Sequence, residues 1–396
     1  MVDDNLDRPT HRDADRSTPE LSSQLANGPP RASEIRPLSS ADISAVAALY
    51  HKIFLNPARP APRSLSHHIE QQFLPNQTGA AASLVYVRDG VVAGFVGAMP
   101  LSMVIDDRTV RAVTIGSFMV DGQSIDPLGG ARLLRAMANG PQDVTISETA
   151  SATSLTMWRS LRGTVLPGHS LDWLKVLSPT RYLTARLARR LPVARLAQPI
   201  AGAVDRAIAR RPSGALGWRP LPTTVRAASH DSSVDETAAI IRDLSLVSRA
   251  RPDWAGDTLE HRLEGASRKA VHGPMTCRAV TGPGGNPVGL FVYHAQPFGI
   301  GHVLQIMAQP GQAGYVVDQL FQYASSAGIA ALSGRTDPAL LDALLGRDCS
   351  FGNYSSTVVA ARDKSLLVAM REGHSLITGL AGETWSPFSG HDLETP

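Results

Sequence analysis

The chain has 396 residues, 43% of them hydrophobic, a formal net charge of +3 and two cysteines, Cys277 and Cys349. That length exceeds one ordinary core and predicts two domains, and no apolar run approaches the roughly 18–20 residues needed to span a bilayer. The N-terminus lacks the basic segment and apolar core of a secretory signal, and the cysteines show no metal-ligand spacing. A reduced, cytoplasmic compartment is the expectation, with both thiols acting as small apolar groups.

Residues 1–33 are rich in Asp, Arg, Ser and Pro, with too few large apolar side chains to offset ordering entropy, and are expected to form a disordered tail. Ser40 to Phe54 reads as a helix. Leu55 to Leu65, with Pro57, Pro60 and Pro62, reads as a loop leading to His67 to Phe73. Ser83 to Val87, the turn Arg88-Asp89-Gly90, and Val91 to Met99 make a hairpin. Residues 101–106 and 109–115 predict further strands around Asp106-Asp107-Arg108.

The stretch Arg111 to Met137 is the most informative. Ala112 to Val120 is an apolar strand, followed by a polar loop ending in Pro127-Leu128-Gly129-Gly130. Next comes a helix with Leu133, Leu134 and Met137 on one face. A strand feeding a glycine turn at a helix N-terminus is a cradle for an anion, because the first helical N–H groups lack internal acceptors and the dipole favours negative charge. Gly129 and Gly130 would let a pyrophosphate approach the backbone. Tight helix packing at an ordinary loop is the alternative. Asp143 to Ser147 then reads as a strand, Ala152 to Leu161 as a helix and Ser170 to Val176 as a strand.

This order, with this turn, resembles the GNAT superfamily of acyl-CoA N-acyltransferases over about residues 34–178. Ile35-Arg36-Pro37-Leu38, followed by Asp42 and a helix, resembles the superfamily's opening. Its Gln/Arg-x-x-Gly-x-Gly/Ala signature aligns with Asp126, Gly129 and Ala131, an acid standing at the first position. Met157 to Gly163 with Ser170 to Leu174 resembles a bacterial subgroup carrying two GNAT-like halves. The resemblance implies an α/β (α+β) fold with a mixed, mostly antiparallel sheet flanked by helices. It also implies acetyl-CoA or another acyl-CoA as co-substrate. Gly129, Gly130, Ala131 and Arg132 would hold the pyrophosphate, and a backbone N–H in Phe118-Met119-Val120 would polarise the thioester. In such folds the loop from Leu55 to Leu65 overhangs the acceptor.

Residues 179–222 carry Arg181, Arg186, Arg189, Arg190, Arg195, Arg206, Arg210 and Arg211 against a single acid, Asp205. Leu183, Leu187, Leu191, Leu196 and Ile200 recur at helical spacing, predicting a basic helical connector. Its arginines are either solvated or bind an anionic surface, RNA or membrane. Residues 223–388 repeat the early order. Asp235 to Ser248 is a helix, and Thr276 to Val280 pairs with Val288 to His294. His302 to Ala308 is a strand, Gln309 to Gly314 a glycine turn, and Tyr315 to Ser325 a helix. Ile329 to Ser333, Thr357 to Ala361 and Ser375 to Leu380 are strands, with a helix from Pro338 to Leu345. A second, degenerate GNAT-like half is expected, its turn a poorer cradle because of Pro310, followed by a tail at 389–396.

Acyl transfer to an amine needs a base, a donor to the oxyanion and a leaving thiolate. Glu148 follows the strand Asp143 to Ser147, beside the opening where such folds admit the acceptor, and is the best-placed base. Its alternative role is to cap or solvate the next helix start, with Ser151 nearby. Asp121 is the other carboxylate near the site. Trp158 falls where many GNAT enzymes carry an acidic Tyr, and an indole N–H cannot give up a proton in that way, so the thiolate leaves unaided, or this half is weakly catalytic, or Trp158 is simply a core side chain. His67, His68, His294 and His302 show no metal spacing, so no metal is expected. Walker, dinucleotide and Gly-x-Ser-x-Gly motifs are absent from the sequence. The acceptor is expected to be a small-molecule or peptide amine. Two readings compete: a Fem-type transferase drawing on aminoacyl-tRNA, and a non-catalytic binding protein suggested by Asp126 and Trp158.

Overall fold

The computed structural model describes residues 33–55, 58, 60–74, 81–122, 126, 128–190, 228–256, 258–269 and 271–389. The tails expected at 1–33 and 389–396 therefore lie outside the described residues, apart from Ser33 and Ser389, as does part of the proline-rich loop.

The first half opens with β1 (Ser33–Pro37), β2 (Leu84–Arg88), β3 (Val91–Ile105), β4 (Arg108–Val120), β5 (Val144–Ala150) and β6 (Thr164–Val165). Asp89 (φ 49°) and Gly90 (φ 79°) form the expected tight turn. The separate strands expected at 101–106 and 109–115 are instead the outer ends of β3 and β4. These reverse at Asp106 and Asp107, both with positive φ (46° and 63°), the geometry that matches strand twist. Helices α1 (Ile43–Phe54), α2 (Leu65–Phe73), α3 (Gly129–Ala138) and α4 (Ala152–Ser160) pack on this sheet. Ser39 and Asp42 form a capping box ahead of α1, and the Ser151 hydroxyl caps α4 by accepting the Ser154 N–H at 3.3 Å.

The remaining strands are β7 (Asp172–Val176), β8 (Ser229–Asp231), β9 (Ala250–Pro252), β10 (Met275–Thr281), β11 (Pro287–His294), β12 (Ile300–Ala308), β13 (Ala331–Arg335), β14 (Ser350–Gly352) and β15 (Ser356–Ala361). One sheet runs β1-β2-β3-β4-β5-β15-β6, with β9 on the outer end of β3; the other runs β8-β10-β11-β12-β13-β7-β14. The two orders correspond position by position. In each, the parallel step among the described residues is between the fourth and fifth strands, β4 with β5 and β12 with β13.

The sheets exchange a strand. β7 lies between β13 and β14 of the second sheet, and β15 lies between β5 and β6 of the first. The linear units expected at 34–178 and 223–388 are thus not the sheets strand for strand. Burial explains the exchange: Trp173 of β7 packs with Phe321 in the second core, while Val358 and Val359 of β15 are sealed against the two faces of the first sheet. The expected strand from Ser375 to Leu380 is coil with one bridge at Ser375, because the backbone there is bound by side chains from both halves.

The chain also forms helices α5 (Pro179–Arg190), α6 (Val234–Ser245), α7 (Thr258–Ser267) and α8 (Ala313–Ser326). A single core joins the halves: Tyr50, Phe73 and Phe95 meet Leu244, Leu263, Leu290, Trp385 and Phe388. The basic connector begins as α5, where Arg181 lies over the Phe298 ring at 5.1 Å; residues 191–222 lie outside the described residues. No helix among the described residues is long and apolar enough to cross a membrane. Both cysteines are half-buried, and burial pushes the Cys349 thiol up to about 11.

Candidate active site

Strands β4 and β5 pair in parallel only from Ala112–Val144 to Ile115–Ser147. Beyond that point β4 follows β3 and β5 follows β15, so the sheet opens. A bulge marks the divergence: Val96 of β3 faces both Ser117 and Phe118, and Ser117 holds φ 52°, a conformation a serine adopts at a cost. The Asp121 N–H bonds Ala93 O on β3 at 2.8 Å. By alternation from Asp121, the Met119 N–H faces β3 and that of Val120 turns away from it, while Phe118 sits within the bulge.

The opening leads into a cavity of about 380 Å³ lined by Tyr50, Phe54, Ser117, Phe118, Thr149, Trp158, Glu383 and Phe388. Trp158 is 1% exposed, and its Nε1 has no hydrogen-bond partner among the described residues, an orphaned donor in the cavity wall. The Phe388 ring seats against Tyr50 (5.4 Å between centroids) and Phe73 (4.9 Å), and the Tyr50 hydroxyl donates to Phe388 O at 3.3 Å.

Glu383 is the carboxylate of this cavity. It is half-buried, and its Oε1 accepts the Thr149 N–H at 3.1 Å and the Thr149 hydroxyl. Burial, with the negative field of Glu148 second, pushes its carboxyl up to about 7. Glu148 does not line the cavity. It sits within β5 rather than after it, fully buried, and its carboxylate accepts the N–H groups of Gly379 (3.0 Å), Glu383 (2.7 Å) and Thr384 (3.2 Å). Burial raises its carboxyl above the ordinary range, against the Arg335 charge and these three N–H bonds. Every described bond of the Glu148 carboxylate is directed at the C-terminal segment, for which it acts as a clamp, and the residue expected as the base does not line the cavity. Ser151 is the cap of α4. A Cβ on Gly382 would fall 2.0 Å from Glu148 Oε2, so the clamp also requires glycine there. Asp121, the other candidate, is paired with Lys52 at 2.9 Å.

The glycine turn opens α3 as expected, but its glycines answer to packing. A Cβ on Gly129 would meet the Tyr86 ring at 2.8 Å, and one on Gly130 would meet Met157 and Val120 at 3.3 Å. Asp126 occupies the mouth of the turn. It accepts the Tyr86 hydroxyl (2.5 Å), the Leu128 N–H (3.0 Å) and the Arg132 guanidinium, and the Tyr86 bond leads the interactions holding its carboxyl below the usual range. Pro127 lies outside the described residues. Of the residues named from the sequence, Phe118 and Trp158 line the cavity, and Val120 packs at the start of α3. Gly129, Gly130, Ala131 and Arg132 form that helix start, and Met119 is buried beneath the sheet. Sequence reading missed Glu383, Tyr50, Thr149 and Phe388. The one available signal was the acid-bearing Gly379-to-Trp385 turn after the last expected strand, which carries no recognisable motif.

No family model matches the chain, and no curated protein matches it. Solved structures do resemble it. A protein from Enterococcus faecalis described as a probable N-acyltransferase superposes at TM-score 0.55 and 10% identity, over 85% of this chain and 74% of that one. A GCN5-related N-acetyltransferase from Kribbella flavida does so at 0.52 and 12%, over 86% and 74%. Another from Anabaena variabilis gives 0.55 and 9%, over 83% and 72%. The chain therefore has the GNAT fold, as expected from the sequence.

Proposed function

We propose that the protein is an acyl-CoA-dependent N-acyltransferase that moves an acetyl or other short acyl group to an amine at the opening between β4 and β5. The observation that carries this reading is the parting of β4 and β5 at a bulge, over a cavity holding one carboxylate, Glu383, that burial pushes up to about 7. In this reading the thioester carbonyl oxygen takes a hydrogen bond from a backbone N–H of the Phe118-Met119-Val120 stretch. The amine nitrogen attacks the carbonyl carbon, the C–S bond breaks, and the proton shed by the amine passes to Glu383. A base whose pKa lies close to the working pH is suited to that task. The thiolate leaves as thiolate. The cavity, at about 380 Å³, favours a short acyl group because it must also admit the amine.

The α3 N-terminus offers backbone donors, but Asp126 already engages Arg132 and the Leu128 N–H, so a pyrophosphate meets a partly neutralised cradle. Calorimetry of the full chain with acyl-CoAs of increasing chain length tests the reading. Binding of acetyl-CoA in preference to long-chain donors is expected, and failure of every acyl-CoA to bind would overturn it.

A further inference from the structure

The second sheet opens at the corresponding place. Strands β12 and β13 pair in parallel from Ile300–Ala331 to Val303–Gly334 and then part, with Leu304 as the extra residue of a bulge against β11. A cavity of about 430 Å³ lies there. Thr149 and Ser389 line both this cavity and the first. The C-terminal segment borders both, Glu383 lining the first cavity and Thr384 the second.

The two sides differ in charge. The first cavity presents the Glu383 carboxylate. The second is lined by Lys269, Arg335, His272, His294 and His302, against one carboxylate, Asp172, which Arg335 already engages at 3.4 Å. His294 and His302 are direct cross-strand partners, a juxtaposition their sequence spacing did not reveal. The His272 ring stacks on His302 with centroids 3.8 Å apart, and Ser333 Oγ lies 3.3 Å from His302 Nδ1. Lys269 Nζ donates to Thr384 O at 2.7 Å, and an ammonium carries three N–H groups; with the imidazoles these are donors suited to an anion.

We propose that this second cavity is the other end of the acceptor site and takes an anionic group, a carboxylate or a phosphate, on the molecule whose amine lies at Glu383. The inference rests on the acyl-transfer reading and narrows its acceptor to zwitterionic amines, such as amino acids, short peptides or aminoalkyl phosphates. Opposite charges in adjoining cavities set the orientation: the ammonium goes to the carboxylate side and the anion to the basic side.

The test is calorimetry of the full chain with hexylamine, aminohexanoate and aminohexyl phosphate. At least one anionic probe should bind about tenfold or more tighter than hexylamine, the scale of hydrogen bonds to a charged group; the tighter of the two identifies the anion. His272→Glu should abolish that gain and leave hexylamine unaffected. Equal affinity for the three probes, binding of none, or an equal effect of the variant on all of them overturns the inference. Acetyl-CoA binding measured alongside separates the two readings. Donor binding without anion preference refutes this inference alone, whereas loss of donor binding in the wild type refutes acyl transfer.

Discussion

Replacing Glu383 by Gln removes the basic group while keeping an oxygen for the Thr149 N–H and hydroxyl, so the segment stays in place. Turnover should fall by roughly two to four orders of magnitude, the usual contribution of a positioned base, with acyl-CoA affinity unchanged. The wild-type rate should rise with pH through about 7, as Glu383 ionises, and the variant should lose that limb. The same substitution predicts a stability change of known sign. A carboxyl carried from its usual value near 4.5 to about 7 binds a proton more tightly folded than unfolded. Its stabilising contribution is complete below the unfolded value and is lost as pH rises through about 7, at most about 3 kcal/mol. Above pH 7 the variant should therefore be the more stable protein, because Gln relieves an ionised group held beside the Glu148 charge. Steady-state rates against pH, with thermal unfolding at pH 5 and pH 8, measure both. A variant within fivefold of wild type and with the same pH profile would refute the reasoning.

Glu148→Gln should behave in the opposite way. It sets an amide NH₂ against backbone N–H groups from Gly379, Glu383 or Thr384, and should cost about 3 kcal/mol in denaturant unfolding; an unchanged midpoint would show that the clamp is unimportant. Asp126→Asn removes the internal anion at the start of α3 and should tighten acyl-CoA binding about fivefold, near 1 kcal/mol, by calorimetry. Weaker binding in Asp126→Asn would mean that the acid organises the cradle and does not compete with phosphate. Phe388→Ala empties a site packed on Tyr50 and Phe73 and should cost about 3 kcal/mol. A loss below about 1 kcal/mol would show that the C-terminal segment is not part of the shared core.

Local chemistry made much of the fold legible from the chain itself. The Asp89-Gly90 turn, the apolar run into Val120, the glycine start of α3 and the repeat of that order after residue 223 all rest on turn chemistry and periodicity within short windows. The resemblance carried by Asp126, Gly129 and Ala131 led to the correct fold, and Phe118 and Trp158 fell at the opening. Tertiary structure decided the rest. Which sheet β7 and β15 join depends on which core buries Trp173, Val358 and Val359, and strand propensity is blind to that choice. Glu148 and Glu383 are far apart in sequence, and both follow or interrupt apolar stretches. Only the fold shows that the first accepts three N–H groups from the segment carrying the second, turning a candidate base into the clamp that presents another carboxylate to the cavity. A carboxylate's role follows from what surrounds it, and here those neighbours come from the far end of the chain.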